Sequence, residues 1–443
     1  MNKNIEMPKN VALIIDRLLE NGYEAYMVGG CVRDCILGKE PKDWDITTNA
    51  KPLEVVELFD KVILTGLKHG TVTVMLNKES YEITTYRSDG EYEDNRHPKE
   101  VKFVSSLKED LARRDFTINS MAYNNISGLV DYFNGIEDLD EKVIRTVGEP
   151  RKRFGEDALR MLRAIRFSAQ LDFTIDRLTL NSIKELKDNI RNISKERIRE
   201  EFNKILLNNP RKIEMLRECG ILEYIVPGIS KIYNFNKNNS CHSHDLYNHA
   251  IIATETVESQ IYLKLSMLFH DFGKACTIRT DENDNLHCSS YSKESSRIAN
   301  EILKYLKYDN NTINKVTLLI QYHDYRMDNK VSIKKLLREI GIDLFKDLIK
   351  IKRADILAQE SKNSKKHLIN LDEAENILNK IIDKDECFTL KNLKINGGDL
   401  LSLGFNKGKE IGEILNHLLD IVIEDPKSNE KQELIKLVMK RWR

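Results

Sequence analysis

The sequence predicts an α+β protein: a small N-terminal head built around a mixed β-sheet, followed by an all-α neck, body and tail. Three observations lead there. Short runs rich in β-branched residues, punctuated by Gly and Pro, fill residues 1–148. From about Pro150 the apolar spacing turns helical and stays so almost to the end. A chain of 443 residues also exceeds what one hydrophobic core organises, and the expected divisions are head 1–148, neck 149–235, body 236–385 and tail 386–443.

In order along the chain, Val11, Leu13, Ile14, Ile15, Leu18 and Leu19 recur near a 3.6 period and stop at Asn21-Gly22, so 9–21 is a helix. Ala25–Val28, Trp44–Thr47, Thr71–Leu76 and Tyr81–Tyr86 read as strands. Helices are expected at 155–171, 176–190, 194–208, 247–272, 292–308, 311–324, 331–341, 343–358 and 368–383, with edges or excursions at 234–240 and 280–290. No 20–50-residue repeat interrupts this plan.

Composition narrows the function. Lys+Arg and Asp+Glu both total 70, so net charge is zero and any nucleic-acid surface must be local. Seven scattered cysteines with no CxxC pair indicate reduced thiols rather than a disulfide frame or zinc knuckle. The N-terminus is polar, and no apolar run approaches the roughly 18 residues that span a bilayer. A cytoplasmic protein is expected, without membrane attachment and with no obligate protein partner evident.

In the head, Val28-Gly29-Gly30-Cys31-Val32-Arg33-Asp34 passes from strand to helix, where backbone N–H groups at Gly29 and Gly30 could cup a phosphate. Asp43-Trp44-Asp45 places two carboxylates two residues apart, on one side of a strand, where they could hold Mg²⁺. Either motif alone is common turn or strand-edge chemistry. Together with Tyr81-Glu82-Ile83-Thr84-Thr85-Tyr86-Arg87 and Arg113-Arg114-Asp115-Phe116-Thr117-Ile118-Asn119, their order and spacing resemble the class II tRNA nucleotidyltransferase and bacterial poly(A) polymerase family. That resemblance implies a nucleotidyltransferase head in which Asp43 and Asp45 hold two Mg²⁺ ions, with Glu82 as a third catalytic carboxylate. It assigns nucleotide contacts to Gly29, Gly30, Arg33, Arg114, Asp115 and Asn119. Residues 89–98 resemble the family's loop.

In the neck, Gly155-Glu156-Asp157-Ala158-Leu159-Arg160 matches the same family's EDxxR motif, and a spacing of three puts Asp157 and Arg160 on one helix face. Cytosine and adenine both offer an amine donor beside a ring-nitrogen acceptor, whereas uracil and guanine offer a carbonyl beside an N–H. An Asp acceptor next to an Arg donor therefore suits CTP and ATP alike. Arg151, Lys152, Arg153, Arg160, Arg163 and Arg166 make this stretch a candidate path for the tRNA acceptor stem, with Arg163 and Arg166 also expected to contact nucleotide. Arg197, in a stretch resembling the fifth motif, is expected to brace the neck.

In the body, His249, Leu268-Phe269-His270-Asp271-Phe272-Gly273-Lys274 and His323-Asp324 resemble an HD-type metal phosphohydrolase domain. The resemblance implies a second divalent metal held by His249, His270, Asp271 and Asp324. Tyr291 stands where such domains carry a histidine, with His287 displaced from it. The tail, from Leu393-Lys394-Ile395-Asn396-Gly397-Gly398-Asp399, resembles the C-terminal tRNA-binding module of the same enzymes. The expected function is template-independent synthesis of the CCA end of tRNA. The alternatives are a poly(A) polymerase, a partial CC- or A-adding enzyme, and an HD phosphohydrolase with an RNA-binding head.

Overall fold

The computed structural model describes residues 5–90, 101–233, 235, 245–280, 286–288, 291–359 and 363–442. It divides into two compact units, Met1–Pro227 and Gly228–Arg443. No helix among the described residues is long and apolar enough to cross a membrane.

The first unit opens with α1 (Lys9–Glu20), which buries Val11, Ile14, Ile15 and Leu18 on one face. Its last turn closes where Gly22 takes φ +83°. The sheet is then laid down with β1 (Ala25–Val28), α2 (Gly30–Ile36), β2 (Ile46–Thr48), α3 (Pro52–Leu58), β3 (Val62–Gly66), β4 (Thr71–Leu76) and β5 (Glu79–Thr85). A small ribbon of β6 (Arg87–Asp89) and β7 (Val101–Phe103) leads to α4 (Leu107–Ala112). β8 (Met121–Asn124), β9 (Gly128–Asp131) and α5 (Gly135–Asp140) complete the head.

The seven strands run in the order β3-β4-β5-β2-β1-β8-β9. β2 and β5 are parallel and the other neighbours antiparallel, so the sheet is mixed, as expected. β1 lies inside it, which puts the Gly29-Gly30 turn and the approach to β2 at one end of adjacent strands. Asp43 and Asp45 precede β2 rather than lie within it. Of the expected loop 89–98, only residues 89 and 90 fall within the described residues.

The neck is nearly but not wholly helical, because β10 (Val143–Ile144) pairs in parallel with β11 (Thr174–Ile175). α6 (Pro150–Glu156), α7 (Leu159–Leu171), α8 (Arg177–Leu186), α9 (Lys195–Asn208), α10 (Ile213–Glu218) and α11 (Leu222–Ile225) surround a core that includes Phe154, Leu162, Ile165, Ile198 and Phe202. The expected helix over 155–171 is two: Asp157 is extended at φ −137°, ψ 105° and ends α6.

In the second unit come α12 (Ser230–Tyr233), α13 (Leu246–Thr256), α14 (Ile261–Phe269) and α15 (Lys274–Thr277), then a hairpin of β12 (Ile278–Thr280) and β13 (Leu286–Cys288). α16 (Tyr291–Tyr305), α17 (Asn310–Tyr322), α18 (Lys330–Ala358) and α19 (Ser364–Asp383) follow. The expected helix over 247–272 is broken at 257–260, where the buried Lys264 ammonium donates to the carbonyls of Thr254 and Val257 at 2.8 Å and closes α13. α18 changes direction at Gly341 (φ +75°, ψ 173°), matching the two helices expected on either side. Leu263, Met267, Leu319, Ile333, Phe345, Leu348, Ile351 and Leu378 form the body's core. The tail's α20 (Gly397–Ser402), α21 (Lys409–Glu424) and α22 (Lys431–Trp442) share another core around Leu400, Leu418, Val422 and Leu434. Residues 236–240 of the expected polar edge lie outside the described residues.

Candidate active site

At one end of the mixed sheet, the parallel register that sets Ile46 beside Ile83 carries Asp45 alongside Glu82. Asp43, Asp45 and Glu82 are all exposed there. Although Asp45 keeps contact with solvent, the protein packed around it partly desolvates its carboxyl and raises it above the ordinary range; Arg114 opposes the rise, and the like charges of Glu82 and Asp43 add to it. Three carboxylates that feel one another beside a lone guanidinium are hard oxygen donors short of positive charge, a donor set that fits a divalent cation.

The Gly29 N–H, expected to cup a phosphate, here donates to the Met121 carbonyl at 3.1 Å. The work of the residue is steric. With φ +81°, a Cβ at this position would stand 2.9 Å from Arg114 Nη1. The bare backbone thus lets Arg114 lie over the turn, close to Asp45.

Asp110, fully buried and not anticipated from the sequence, holds this arginine pair. Its Oδ1 accepts from Arg113 Nε at 2.9 Å, and its Oδ2 from Arg114 Nη2 at 3.4 Å and Thr47 Oγ1 at 3.2 Å. The carboxylate therefore ties the arginine turn to β2, the strand that follows Asp43 and Asp45. Its repeat distance from Arg114, four residues on the same turn of chain, was the available signal.

Asp115 faces the neck. Arg163 donates to its Oδ2 from Nε at 2.7 Å, and Phe116 N donates to Oδ1 at 2.8 Å. Burial alone would raise this carboxyl, but Arg163 outweighs it and holds the group down at about 2. Asn119 Nδ2 donates to Asp115 at 3.3 Å and its Oδ1 accepts from Arg33 Nη1 at 2.7 Å, while Arg33 also binds Asp34. Arg33, Asn119, Asp115 and Arg163 form one continuous chain from α2 to α7.

The neck residues are arranged otherwise than the helical spacing suggested. The break at Asp157 takes it out of α7, so the shared helix face expected of Asp157 and Arg160 is not formed. Arg197 Nη2 donates to Asp157 Oδ2 at 2.9 Å, the brace expected of Arg197. Arg160 donates to Glu156 Oε2 at 2.7 Å and to the carbonyls of Arg153 and Arg113 at 3.2 Å. Arg166 is buried against Glu201 at 3.0 Å, and Arg151 binds Glu185 at 2.6 Å. The expected open basic path is, at these positions, a set of matched ion pairs.

A second cluster lies in the body. His249 Nε2 is 3.3 Å from His270 Nε2 and 3.0 Å from Asp355 Oδ1. His270 Nε2 is 3.4 Å from Asp271 Oδ2, and His323 Nε2 is 3.7 Å from Asp271 Oδ1. His270 Nδ1 lies 2.7 Å from the Met267 carbonyl and His323 Nδ1 lies 2.6 Å from the Ile320 carbonyl; a carbonyl only accepts, so each Nδ1 carries a proton and each ring turns Nε2 to the centre. Asp271 Oδ1 is buried without a hydrogen-bond partner, an orphaned acceptor that suits a cation.

His249, His270 and Asp271 are thus brought together as expected, but Asp324 is not. It is exposed and borders a cavity of about 470 Å³ that Asp355 and Lys352 also line, while the preceding residue, His323, turns inward. Asp355, from α18, takes the expected place of Asp324. Tyr291 stacks edge-on to His323 with centroids 5.5 Å apart, and the side chain of His287 lies outside the described residues.

Known proteins share this chain's sequence and fold. The Poly A polymerase head domain family matches residues 25–145, the probable RNA and SrmB-binding site of polymerase A matches 172–232, and the putative tRNA nucleotidyltransferase domain 2 matches 286–438. The CCA-adding enzyme of Ligilactobacillus salivarius is 34% identical over 432 residues, covering 96% of this chain and 95% of that protein. That of Lactobacillus helveticus is 54% identical over 192 residues, and there the match spans 48% of the relative, about half its length. Among solved structures, the Bacillus stearothermophilus CCA-adding enzyme in complex with CTP aligns over 98% of both chains with a TM-score of 0.74 and 28% identity.

Proposed function

Because this chain belongs to the CCA-adding enzyme family, we infer that it is a template-independent tRNA nucleotidyltransferase that builds or repairs the 3′-terminal CCA of tRNA from CTP and ATP. The observation that carries this reading is the gathering of Asp43, Asp45 and Glu82 at one end of the sheet, with Arg114 packed over Gly29 beside them.

Asp43 and Asp45, with Glu82, are the groups that would hold divalent cations, in our reading two Mg²⁺ ions. When bound, such ions supply activation of the attacking 3′-hydroxyl and neutralisation of the triphosphate. Arg114, held by Asp110, offers its remaining donors to the phosphates. Arg33 and Asn119 line the same wall, and Asp115 fixes Arg163 beside it. Asp157 supplies the acceptor for the amine shared by cytosine and adenine, and Arg160 the donor for the adjacent ring nitrogen.

The test is addition to tRNA lacking its CCA end, and to tRNA ending in CC, with each nucleotide singly and together. CTP alone should add two residues to the first, and ATP one to the second, with UTP and GTP unused. Runs of A from ATP alone would make the chain a poly(A) polymerase, and a halt after CC, or addition of A only, would make it a partial enzyme.

A second reading belongs to the body, favoured by the orphaned Asp271 oxygen amid the inward-facing imidazoles. His249, His270, Asp271 and Asp355 would hold a divalent metal, and the centre would hydrolyse a phosphomonoester or cyclic phosphodiester. Hydrolysis by the full chain with Mn²⁺ or Ni²⁺, lost in His270→Ala while CCA addition persists, supports it. No hydrolysis with either metal rejects it.

A further inference from the structure

Two buried lysines of the second unit have their donors or their charge met by neighbours. Lys264 donates to the carbonyls of Thr254 and Val257 at 2.8 Å and of Glu255 at 3.3 Å. Lys334 lies 2.8 Å from a Glu386 carboxylate oxygen. Lys352, half-buried on α18, is treated differently: it donates to the His323 carbonyl and, among the described residues, forms no ion pair. An ammonium has three donors, so two are left over.

The surroundings of Lys352 say what those donors suit. Lys352 and Asp355 stand three apart on one face of α18, and both line the cavity of about 470 Å³. Asp355 Oδ1 lies 3.0 Å from His249 Nε2 and accepts from Gln359 Nε2 at 3.0 Å, so this wall runs directly into the histidine–aspartate cluster. Tyr325, Met327 and Ile356 give the same cavity an apolar side. Small-molecule sites span roughly 300–1,000 Å³, and a cavity near the lower end takes a ligand about as large as one nucleoside. With His367 neutral, the lining carboxylates of Asp324, Asp328, Asp355 and Glu373 exceed the cations Lys352 and Arg326, a balance that repels anions. One divalent ion at Asp355 cancels that excess and leaves the Lys352 ammonium on the same wall as the ion.

We propose that this cavity seats a small phosphate ester, with the phosphate on the spare donors of Lys352 beside the cation and the organic portion against Tyr325, Met327 and Ile356. The proposal rests on the reading of the body as a metal centre and deepens it in two ways. The ligand is a single small ester rather than an RNA end, and it binds only after the cation. Lys352 touches the phosphate and holds no metal.

The experiment uses the full chain and phenylphosphonate, which carries a phosphate-like anion on an aromatic ring and has no ester bond to cleave. An Asp45→Ala background removes the head's claim on the cation. Within it, bound Mn²⁺ is counted by electron paramagnetic resonance and phenylphosphonate binding is followed by calorimetric titration, for the parent, Lys352→Met, Asn370→Trp and His270→Ala. Mn²⁺ should bind in all but His270→Ala, and phenylphosphonate should bind only the Mn²⁺-loaded chain. Lys352→Met should weaken phenylphosphonate by about tenfold or more, the loss of charge-assisted hydrogen bonds. Asn370→Trp, which brings an indole into the cavity from an exposed position, should do the same without altering a metal ligand or Lys352. Unchanged affinity in either variant, equal binding without Mn²⁺, or Mn²⁺ uptake by the parent with no phenylphosphonate bound overturns the proposal while the metal centre stands. Equal Mn²⁺ uptake by His270→Ala and the parent sinks the metal centre itself. A trinucleotide 3′-phosphate that displaces phenylphosphonate about tenfold better than the matching nucleoside 3′-phosphate makes the cavity a seat for an RNA end and overturns the small-ester assignment.

Discussion

At the scale of single residues, the head separates groups that do chemistry from groups that hold them. Asp45→Ala or Asp43→Ala should lower nucleotide addition about a thousandfold or more while tRNA binding persists, because in the proposed function these carboxylates serve the cations and not the acceptor stem. Gel-shift and addition assays on the same preparation check both halves. Asp115→Asn has a different signature. It takes the charge off the buried partner of Arg163, whose own side chain is 32% exposed, a loss of about 2 kcal/mol by urea unfolding. Its pH dependence follows from the sign of the shift. A carboxyl held at about 2 in the folded chain contributes its stability in full above its unfolded value near 4. That contribution fades as pH falls from about 4 through about 2, and Asp115→Asn should lack this part of the acid transition.

Among elements, the turn between β1 and α2 is tightly constrained. Gly29→Ala meets both a left-handed φ and the Arg114 guanidinium, so KM for CTP and ATP should rise together by about tenfold or more, through displacement of Arg114. Steady-state kinetics with each nucleotide would reveal it, and unchanged KM values would refute it. β1 and β4 and the division of α18 at Gly341 were legible because β-branched runs, Gly and Pro mark them directly. The break at 257–260 was not: Val257-Glu258-Ser259-Gln260 holds neither Gly nor Pro, and the closing group, Lys264, comes from the next helix. β8 and β9 were missed because strands of four residues that borrow their order from β1 carry little pattern of their own. The same limit applied to the sites. Asp43, Asp45 and Arg114 stand in compact motifs, whereas Asp355 is one acid in a charged helix, and only the packing of α18 on α13 brings it to His249. Asp324 drew the assignment because it follows a histidine, yet at the end of α17 it is His323 that faces the core.

Across the whole molecule, each unit carries a candidate ligand site of its own, and ligands should protect what they touch. Amide hydrogen exchange should slow in α2, α7 and the turn around Asp115 on adding CTP, and in α13, α14 and α18 on adding Mn²⁺. His270→Ala should erase only the second effect; protection of the head by Mn²⁺ alone, with α13 and α18 unchanged, would reject a body metal. Zero net charge raises the question of how such a chain captures a polyanion, and the ion pairs of Arg153 and Arg160 with Glu156, Arg163 with Asp115 and Arg166 with Glu201 sharpen it. A cation already matched by a carboxylate displaces no bound sodium or potassium when RNA approaches, so it adds nothing to the slope of log affinity against log salt. A tally of positive side chains along α6 and α7 therefore overstates the ionic part of tRNA binding. Titrations between about 50 and 200 mM salt should give a slope shallower than that tally, traceable to lysines and arginines elsewhere. The capture step would then tolerate changes in ionic strength that would loosen a protein gripping the same RNA through unmatched charge.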